Sequence, residues 1–276
     1  MKKIFISYLI TIGIAFSNIE DYNIGTWNIQ GSSQLTESKW NVSIRQLISG
    51  VNAVNILMVQ EAGSIPSTAV RTGRMVQPGG TPIEEFTWDL GTISRPRLVY
   101  IYHSPIDVGA RRVNLSIVSD RRADDIIIIQ QDTIAPDVTR PAIGIRIGND
   151  VFFSIHALAN GGGDAAAIVT AIHDYFMEMP NINWMIAGDF NREPTDLLRG
   201  LPARVEQNLR IVAPNFATHT SGARGGENRI LDYGIVGRTV TGGRRPLLPS
   251  ITALLMSSVV RSYISSDHFP VRFGKL

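Results

Sequence analysis

The alternation of apolar and polar residues along the chain predicts more strands than helices. Short apolar runs bounded by turn residues recur from one end of the sequence to the other, as expected for buried strands. The predicted strands are 22–29, 56–61, 98–102, 113–118, 126–129, 141–147, 151–155, 183–187, 230–236 and a last one beginning at Val271. This excess of strands predicts a core of two sheets with helices outside.

Apolar residues three or four positions apart predict helices at 38–50 and 164–176, and 194–209 is predicted to be helical in pieces. Residues 62–91 are rich in Gly, Pro and Thr and are interpreted as a long surface excursion, because strands resume directly afterwards. The sequence has no internal repeat and no change in composition that would mark a domain boundary. One domain over 19–276 is therefore expected.

The N-terminus has the pattern of a secretory signal peptide. Two lysines follow Met1, and the apolar run 4–16 is too short to span a membrane. Small residues at Ala15 and Ser17 favour cleavage nearby, so 1–18 is predicted to be the signal peptide. An uncleaved anchor is the alternative.

Composition limits which sites the chain can build. The 276 residues include no Cys and carry a formal net charge of +2, with a pI near 9.0. An exported chain of this kind is held together by core packing without disulfides. A structural zinc site is disfavoured, since no two histidines stand at zinc-binding spacing. The slight basic excess is weak evidence for a polyanionic partner.

Polar side chains recur where the predicted strands end. The run 184–188 stops at a glycine and is followed by Asp189 and Asn191, which share one face of an extended segment while Phe190 turns to the other. Asp232 lies within a predicted strand, where an unpaired carboxylate is costly. The remaining polar residues at strand ends are Asn28, Glu61, His156, Asp267 and His268.

These residue types are the groups needed for metal-assisted hydrolysis of a phosphate ester. Carboxylate and amide oxygens suit Mg²⁺, and imidazoles paired with carboxylates supply an acid and a base. Each residue taken singly is equally compatible with a solvated strand end. Their shared placement favours a site.

The order and spacing of these motifs resemble the deoxyribonuclease I, exonuclease III and inositol-phosphatase superfamily. Within this superfamily, longer segments spread over nearly the whole chain resemble the catalytic component of the cytolethal distending toxins. These segments include 38–42, 57–63, 107–115 and 163–169. The shorter motifs that carry the resemblance are Thr26-Trp27-Asn28, Gln60-Glu61, His156, Gly188-Asp189-Phe190-Asn191, Asp232-Tyr233 and Ser266-Asp267-His268.

The resemblance implies an α/β fold, a four-layered sandwich of two central β-sheets flanked by helices. It also implies a secreted Gram-negative genotoxin subunit that assembles with two lectin-like subunits of the A and C type. In the host nucleus it would cleave DNA with Mg²⁺, or with Mn²⁺ or Ca²⁺, causing DNA damage and cell-cycle arrest. The alternatives are a phosphatase acting on phosphatidylinositol 3,4,5-trisphosphate and a binding subunit without chemistry, the latter disfavoured because every catalytic position located is filled.

Roles carried over by resemblance concern three groups of residues. The metal ligands would be Glu61, Asn28 and Asp267; the catalytic residues His156, His268, Asp189, Asp232, Asn191 and Asp267; and the phosphate contacts Arg112, Arg140 and Asn191. Asp232 is expected to orient His156, and Asp267 to partner His268. Which histidine acts as acid stays open. Arginines at 95 and 97 stand near the place where deoxyribonuclease I has a glutamate that contacts a catalytic histidine.

Overall fold

The computed structural model of the chain describes residues 18–32, 35–50, 52–77, 81–106, 112–130, 140–179, 181–220, 228–239, 246–256 and 266–275. The predicted signal peptide lies outside these residues except for Asn18. Among the described residues, no helix is both long and apolar enough to cross a membrane.

One central layer is a mixed sheet of eight strands. Their bounds are β1 Ile24–Asn28, β2 Ile56–Gln60, β3 Val70–Val76, β4 Ile83–Asp89, β5 Leu98–Ser104, β6 Leu115–Ser119, β13 Thr252–Leu255 and β14 Val271–Gly274. The spatial order is β13-β14-β1-β2-β6-β5-β4-β3. Only the β1–β2 pair among these runs parallel.

The other central layer is a mixed sheet of six strands. They are β7 Asp125–Ile129, β8 Ala142–Ile147, β9 Asp150–His156, β10 Asn183–Asp189, β11 Leu209–Val212 and β12 Asp232–Arg238. The spatial order is β11-β12-β10-β9-β8-β7, with β9 and β10 parallel and the other pairs antiparallel. Parallel β9 and β10 bring two carboxyl ends to the same edge of the sheet.

Helices cover the outer face of each sheet. The short helices α1 (Thr36–Ser38) and α2 (Arg45–Ser49), joined by a π-helical turn at Lys39–Ile44, pack on the eight-stranded sheet. On the six-stranded sheet lie α3 (Ala165–Tyr175), α4 (Pro194–Gly200) and α5 (Ala203–Glu206). A third apolar cluster fills the space between the sheets. The predicted four-layered sandwich is confirmed.

The interpretation of 62–91 as a surface excursion was wrong. The segment contains strands β3 and β4, which pair with each other at the edge of the eight-stranded sheet. Edge strand β3 is largely exposed, with Val70 64% accessible, so it lacks the apolar alternation that identifies a buried strand. Strands β11 and β13, four residues each, were missed because they are too short for a pattern.

The contact between Trp184 and Gly237 gives a test of the packing. These residues are opposite each other in β10 and β12, and a Cβ atom added at Gly237 would lie 1.9 Å from the Trp184 ring. We expect Gly237→Ala to lower the free energy of unfolding by about 1–3 kcal/mol, the usual cost of overpacking. Urea denaturation measures it. Gly163→Ala, whose added Cβ would approach no atom closer than 3.4 Å, is the control and should cost less.

Candidate active site

Sheet register brings the predicted polar residues to one edge of the sandwich. Asp189, the last residue of β10, lies opposite His156 in parallel β9 and opposite Asp232 in antiparallel β12. From the other sheet, Asn28 ends β1, and Glu61 directly follows β2. Adjacent strand ends therefore gather these five side chains without any long loop.

The backbone around Asp189 explains how its side chain is aimed. A Cβ atom at Gly188 would lie 2.0 Å from the Ile155 carbonyl oxygen, so only glycine permits this approach between strands. Phe190 is fully buried and stacks on Tyr233, with ring centroids 4.1 Å apart. The predicted division, with Phe190 in the core and its neighbours facing the site, is confirmed.

A cavity of about 780 Å³ opens at this edge. It is lined by Gln30, Ser32, Leu35, Lys39, Glu61, Arg112, Val113, Arg140, His156, Ala159, Asp189, Asn191, Asp267 and His268. The two other sequence-predicted residues lie directly behind this lining. Asn28 donates to Glu61 and Asp189, and Asp232 accepts a hydrogen bond from His268. All the predicted site residues therefore belong to one constellation.

The Asp189 carboxylate is the centre of this constellation. Its Oδ2 atom lies 3.6 Å from Nε2 of His156 and 3.6 Å from Nε2 of His268, and it accepts a 3.1 Å hydrogen bond from Asn28. Its Oδ1 atom accepts the backbone N–H of Asn191 at 2.8 Å. Burial, reinforced by the charge of Asp232, raises the pKa of Asp189 well above its ordinary value. A carboxylate with this shift can accept a proton near neutral pH.

His268 is held by Asp232. The imidazole Nδ1 lies 2.7 Å from Asp232 Oδ2, and Thr218 Oγ1 fixes the start of β12 by accepting the Asp232 N–H at 2.8 Å. Burial alone would lower the pKa of His268, but the charge and hydrogen bond of Asp232 outweigh it and raise the pKa to about 9. At neutral pH the second N–H of the imidazolium, at Nε2, therefore faces the cavity.

One expected pairing was wrong, and the other is an ion pair at longer distance. Asp232 orients His268 rather than His156, because the Ser266 hydroxyl donates to the Asn28 carbonyl and so fixes the His268 backbone on the Asp232 side of the site. The other expected partner, Asp267, lies within ion-pair distance of His268, with Oδ1 3.7 Å from Nε2, which is too long for a hydrogen bond.

His156 is in the opposite protonation state. Its side chain is buried, and burial, followed by the charges of Arg140 and His268, lowers its pKa to about 3. Its Nδ1 atom has no hydrogen-bond partner among the residues described. Arg97 does not supply one, because its guanidinium donates to the carbonyl of Ile48 in α2 instead. The cavity thus holds one neutral and one protonated histidine.

The phosphate-binding candidates line the same cavity. Arg140 is fixed through its backbone N–H, which donates to Asp164 at 3.0 Å, and its Nη1 atom donates to the Ala157 carbonyl at 3.2 Å. Asn191 donates its amide to the same carbonyl at 2.9 Å. Arg112 lies exposed at the rim. Asp164 is the N-cap residue of α3, but its carboxylate accepts the Arg140 N–H and makes no capping hydrogen bond to the helix.

Lys39 is a cavity residue that the sequence did not reveal. Its side chain is buried, and Nζ donates to the carbonyls of Ile29 at 2.6 Å and Gln30 at 2.9 Å. The Gln30 side chain in turn accepts the Asp267 N–H at 3.3 Å. Lysine on a helix is usually a solvated residue, and no pattern in the sequence distinguishes this one.

The oxygen-rich side of the cavity fits a divalent cation. Burial raises the pKa of Glu61, and the nearby Asp267 raises it further. The carboxylates of Glu61 and Asp267 are oxygen donors that suit a hard ion such as Mg²⁺, and Asn28 fixes Glu61 by donating its amide N–H. A cation here would stabilise the ionised form of Glu61, which burial disfavours.

The other histidines separate into two kinds. His219 stands beside the site, its ring centroid 4.7 Å from that of His268. His173 on α3 is buried, with Nδ1 2.9 Å from Asp174. His103 is buried against Ser116, and burial lowers its pKa to about 4. Neither His103 nor His173 lines the active-site cavity.

The His268–Asp232 pair predicts a specific titration. The pKa of His268 is above its unfolded value, so the pair contributes stability below about pH 6.5 that is lost as pH rises through about 9. Asp232→Asn should lower the pKa of His268 by at least about one unit. NMR titration of the ring protons in metal-free protein measures the change. Asp267→Asn, at the longer distance, should lower it less, and the reverse order would refute the assignment.

Comparison with known proteins gives one consistent relationship. Residues 25–268 match the model of the endonuclease/exonuclease/phosphatase family. The chain is 49% identical to a homolog of the cytolethal distending toxin B component from Salmonella typhi, covering 95% of this chain and 92% of that protein. It is 46% identical to the cytolethal distending toxin B component of Escherichia coli, covering 98% of each. Among solved structures, the Haemophilus ducreyi cytolethal distending toxin matches with a TM-score of 0.85 and 50% identity, covering 94% of this chain and 99% of that one.

Proposed function

The chain belongs to the endonuclease/exonuclease/phosphatase family, within its branch of cytolethal distending toxin B components, and we propose that it is a metal-dependent deoxyribonuclease. In this proposal it is the catalytic subunit of a secreted bacterial genotoxin. It hydrolyses phosphodiester bonds of host DNA, and the resulting damage arrests the cell cycle. Membership of this family makes the chain a hydrolase of phosphodiester bonds.

The observation that supports this chemistry best is the position of Asp189 between two histidines of opposite protonation state. Both Nε2 atoms lie 3.6 Å from the same carboxylate oxygen. The raised pKa of Asp189 suits a proton acceptor, and the pKa of about 9 at His268 suits a proton donor. Titratable groups whose environments drive their pKa values apart are the arrangement expected of an acid and a base.

Each residue of the site has a separate role in the proposed reaction. Asp189 positions a water molecule and takes its proton as the water oxygen bonds to phosphorus. The bond from phosphorus to the leaving oxygen breaks, and that oxygen receives the Nε2 proton of His268, whose charge Asp232 stabilises. Neutral His156 donates a hydrogen bond from Nε2 to a phosphoryl oxygen.

Two further groups hold the substrate and the metal. Glu61, Asn28 and Asp267 would hold Mg²⁺, for which Mn²⁺ or Ca²⁺ could substitute, and a bound cation would stabilise charge on the phosphoryl oxygens. Arg140 and Asn191, anchored on the Ala157 carbonyl, and Arg112 at the rim would contact phosphates of the DNA.

The proposed route of the protein into host cells rests on its similarity to the toxin relatives and not on the geometry of the active site. Residues 1–18 act as a secretory signal, and 19–276 form the single catalytic domain. Two lectin-like subunits of the A and C type carry this domain to host cells, where it acts in the nucleus. The isolated chain applied to intact cells should then do little, while the chain mixed with those subunits should trigger DNA-damage signalling.

A phosphoinositide phosphatase is the second candidate, because Arg112 and Arg140 give one cavity two cations that also fit neighbouring phosphates of an inositol headgroup. Turnover on supercoiled plasmid and on a trisphosphorylated inositol lipid, measured with the same preparation, separates the two. We expect DNA to be the better substrate, with His268→Ala inactive on both. Faster turnover of the lipid would replace the nuclease proposal with the phosphatase.

A further inference from the structure

His219 and His268 are distant in the sequence but are neighbours in the fold. They form an isolated antiparallel bridge between the loop before β12 and the segment before β14. Backbone hydrogen bonds fix both sides of this bridge, from Thr220 N to the Asp267 carbonyl at 2.9 Å and from Phe269 N to the Thr218 carbonyl at 2.7 Å. Residues paired in this way project their side chains to the same face, so the two imidazoles stand together.

Asp267 completes a three-ligand cluster with the two histidines. His219 Nε2 lies 3.6 Å from Asp267 Oδ2, and His268 Nε2 lies 3.7 Å from Asp267 Oδ1. One donor atom from each of the three residues falls within 4.8 Å of the others. Ligands about 2.0–2.2 Å from a tetrahedral Zn²⁺ stand roughly 3.3–3.6 Å apart, so small side-chain rotations would close the site.

The surroundings of the cluster are those of a metal site. The Nδ1 atom of His268 is bonded to Asp232, which orients Nε2 toward the cluster in the carboxylate–histidine arrangement found behind metal-bound imidazoles. Asp267 Oδ1 and His219 Nδ1 are buried atoms without a hydrogen-bond partner in the described part of the chain. A metal on Asp267 Oδ1 would supply the partner that this oxygen lacks.

We propose that His219, Asp267 and His268 bind a transition-metal ion of the Zn²⁺ class, and that this ion inhibits the enzyme. Two imidazoles and one carboxylate favour Zn²⁺ over Mg²⁺, whereas Glu61 offers only oxygen donors, and Asp267 is common to the two sites. A metal on His268 Nε2 displaces the proton that this atom would otherwise deliver to the leaving oxygen, and that proton is released to solvent. The inhibitory part of this inference rests on the proposed function, and the binding part does not.

Binding is tested without reference to activity. Co²⁺, a spectroscopic probe for Zn²⁺ sites, is titrated into the purified protein in the presence of excess Mg²⁺, and Zn²⁺ is then added to displace it. We expect one Co²⁺ with the intense visible bands of low coordination, displaced by one Zn²⁺. His219→Asn should weaken Zn²⁺ binding by at least about tenfold. Loss of a group that only supports a metal ligand typically weakens metal binding by about 10–100-fold, and His219 is proposed as a ligand itself. His173→Gln, outside the cluster, and Glu61→Gln, on the oxygen side, should bind Zn²⁺ like the wild type.

Inhibition is tested by plasmid nicking at fixed Mg²⁺ with increasing Zn²⁺, each protein being scaled to its own rate without Zn²⁺. The concentration of Zn²⁺ that halves the rate should rise at least about tenfold in His219→Asn, in parallel with binding. The inference would be overturned if Zn²⁺ inhibited the wild type and His219→Asn equally. It would also be overturned if Glu61→Gln, rather than His219→Asn, lost Zn²⁺ binding. A wild-type protein that binds Co²⁺ at this site without nicking DNA would defeat the proposed function alone, and nicking without metal binding at His219 would defeat this inference alone.

Discussion

Replacing His268 or His156 with alanine is expected to slow plasmid nicking by at least about 10²-fold, the lower range for loss of a general acid or base. The His268→Ala protein lacks the proton donor that Asp232 holds at 2.7 Å. The His156→Ala protein lacks the neutral hydrogen-bond donor next to Asp189. The rates are measured as initial nicking at saturating Mg²⁺, with folding checked by melting temperature.

His103 provides a matched control, because it is as buried as His268, each 7% exposed. It contacts the Ser116 hydroxyl rather than a carboxylate and lies outside the active-site cavity. His103→Ala should therefore lose stability while nicking within a few-fold of the wild-type rate. His219→Ala, beside the site, should fall between the two. A folded His103→Ala protein as inactive as His268→Ala would show that the site is misplaced.

Glu61→Gln is expected to raise the Mg²⁺ concentration needed for half-maximal nicking by at least about tenfold. Loss of a group that only supports a ligand costs about 10–100-fold in metal affinity, and Glu61 is proposed as a ligand itself. The variant keeps the size of the side chain and the contact with Asn28 while removing the charge. A titration of nicking rate against Mg²⁺ gives the shift.

Glu84→Gln serves as the carboxylate control for that titration. Glu84 on β4 is paired with Arg71 on edge strand β3, away from the active-site cavity. Its Mg²⁺ dependence should match the wild type. If Glu61→Gln and the wild type required the same Mg²⁺ concentration, Glu61 would not be a metal ligand.

Much of the site was predictable because it is built from strand ends. An apolar run that stops at a polar residue marks both the strand and the edge where its side chain emerges, as for Asp189 and Glu61. The register of the strands then brings the side chains together, since Asp189 lies directly opposite His156 and Asp232. The sandwich architecture followed from the resemblance and from the excess of strands.

The pairings inside the site were not predictable, because they depend on how the two sheets meet. Nothing in the spacing of the sequence indicates that Asp232 reaches His268 rather than His156, or that His219 stands beside His268. Lys39 was missed because its Nζ binds backbone carbonyls, which carry no sequence signal. Edge strand β3 was missed because it is largely exposed and so lacks the apolar alternation of a buried strand.

The central claim, that this cavity hydrolyses DNA with a divalent metal, is tested most directly by nicking of supercoiled plasmid by residues 19–276. Wild type and His268→Ala are purified side by side, and each is assayed with Mg²⁺ and with EDTA. We predict nicking by the wild type with Mg²⁺, none with EDTA, and at least about 10²-fold less by His268→Ala. Nicking that persists in EDTA, or that is equal in the two proteins, would contradict the claim.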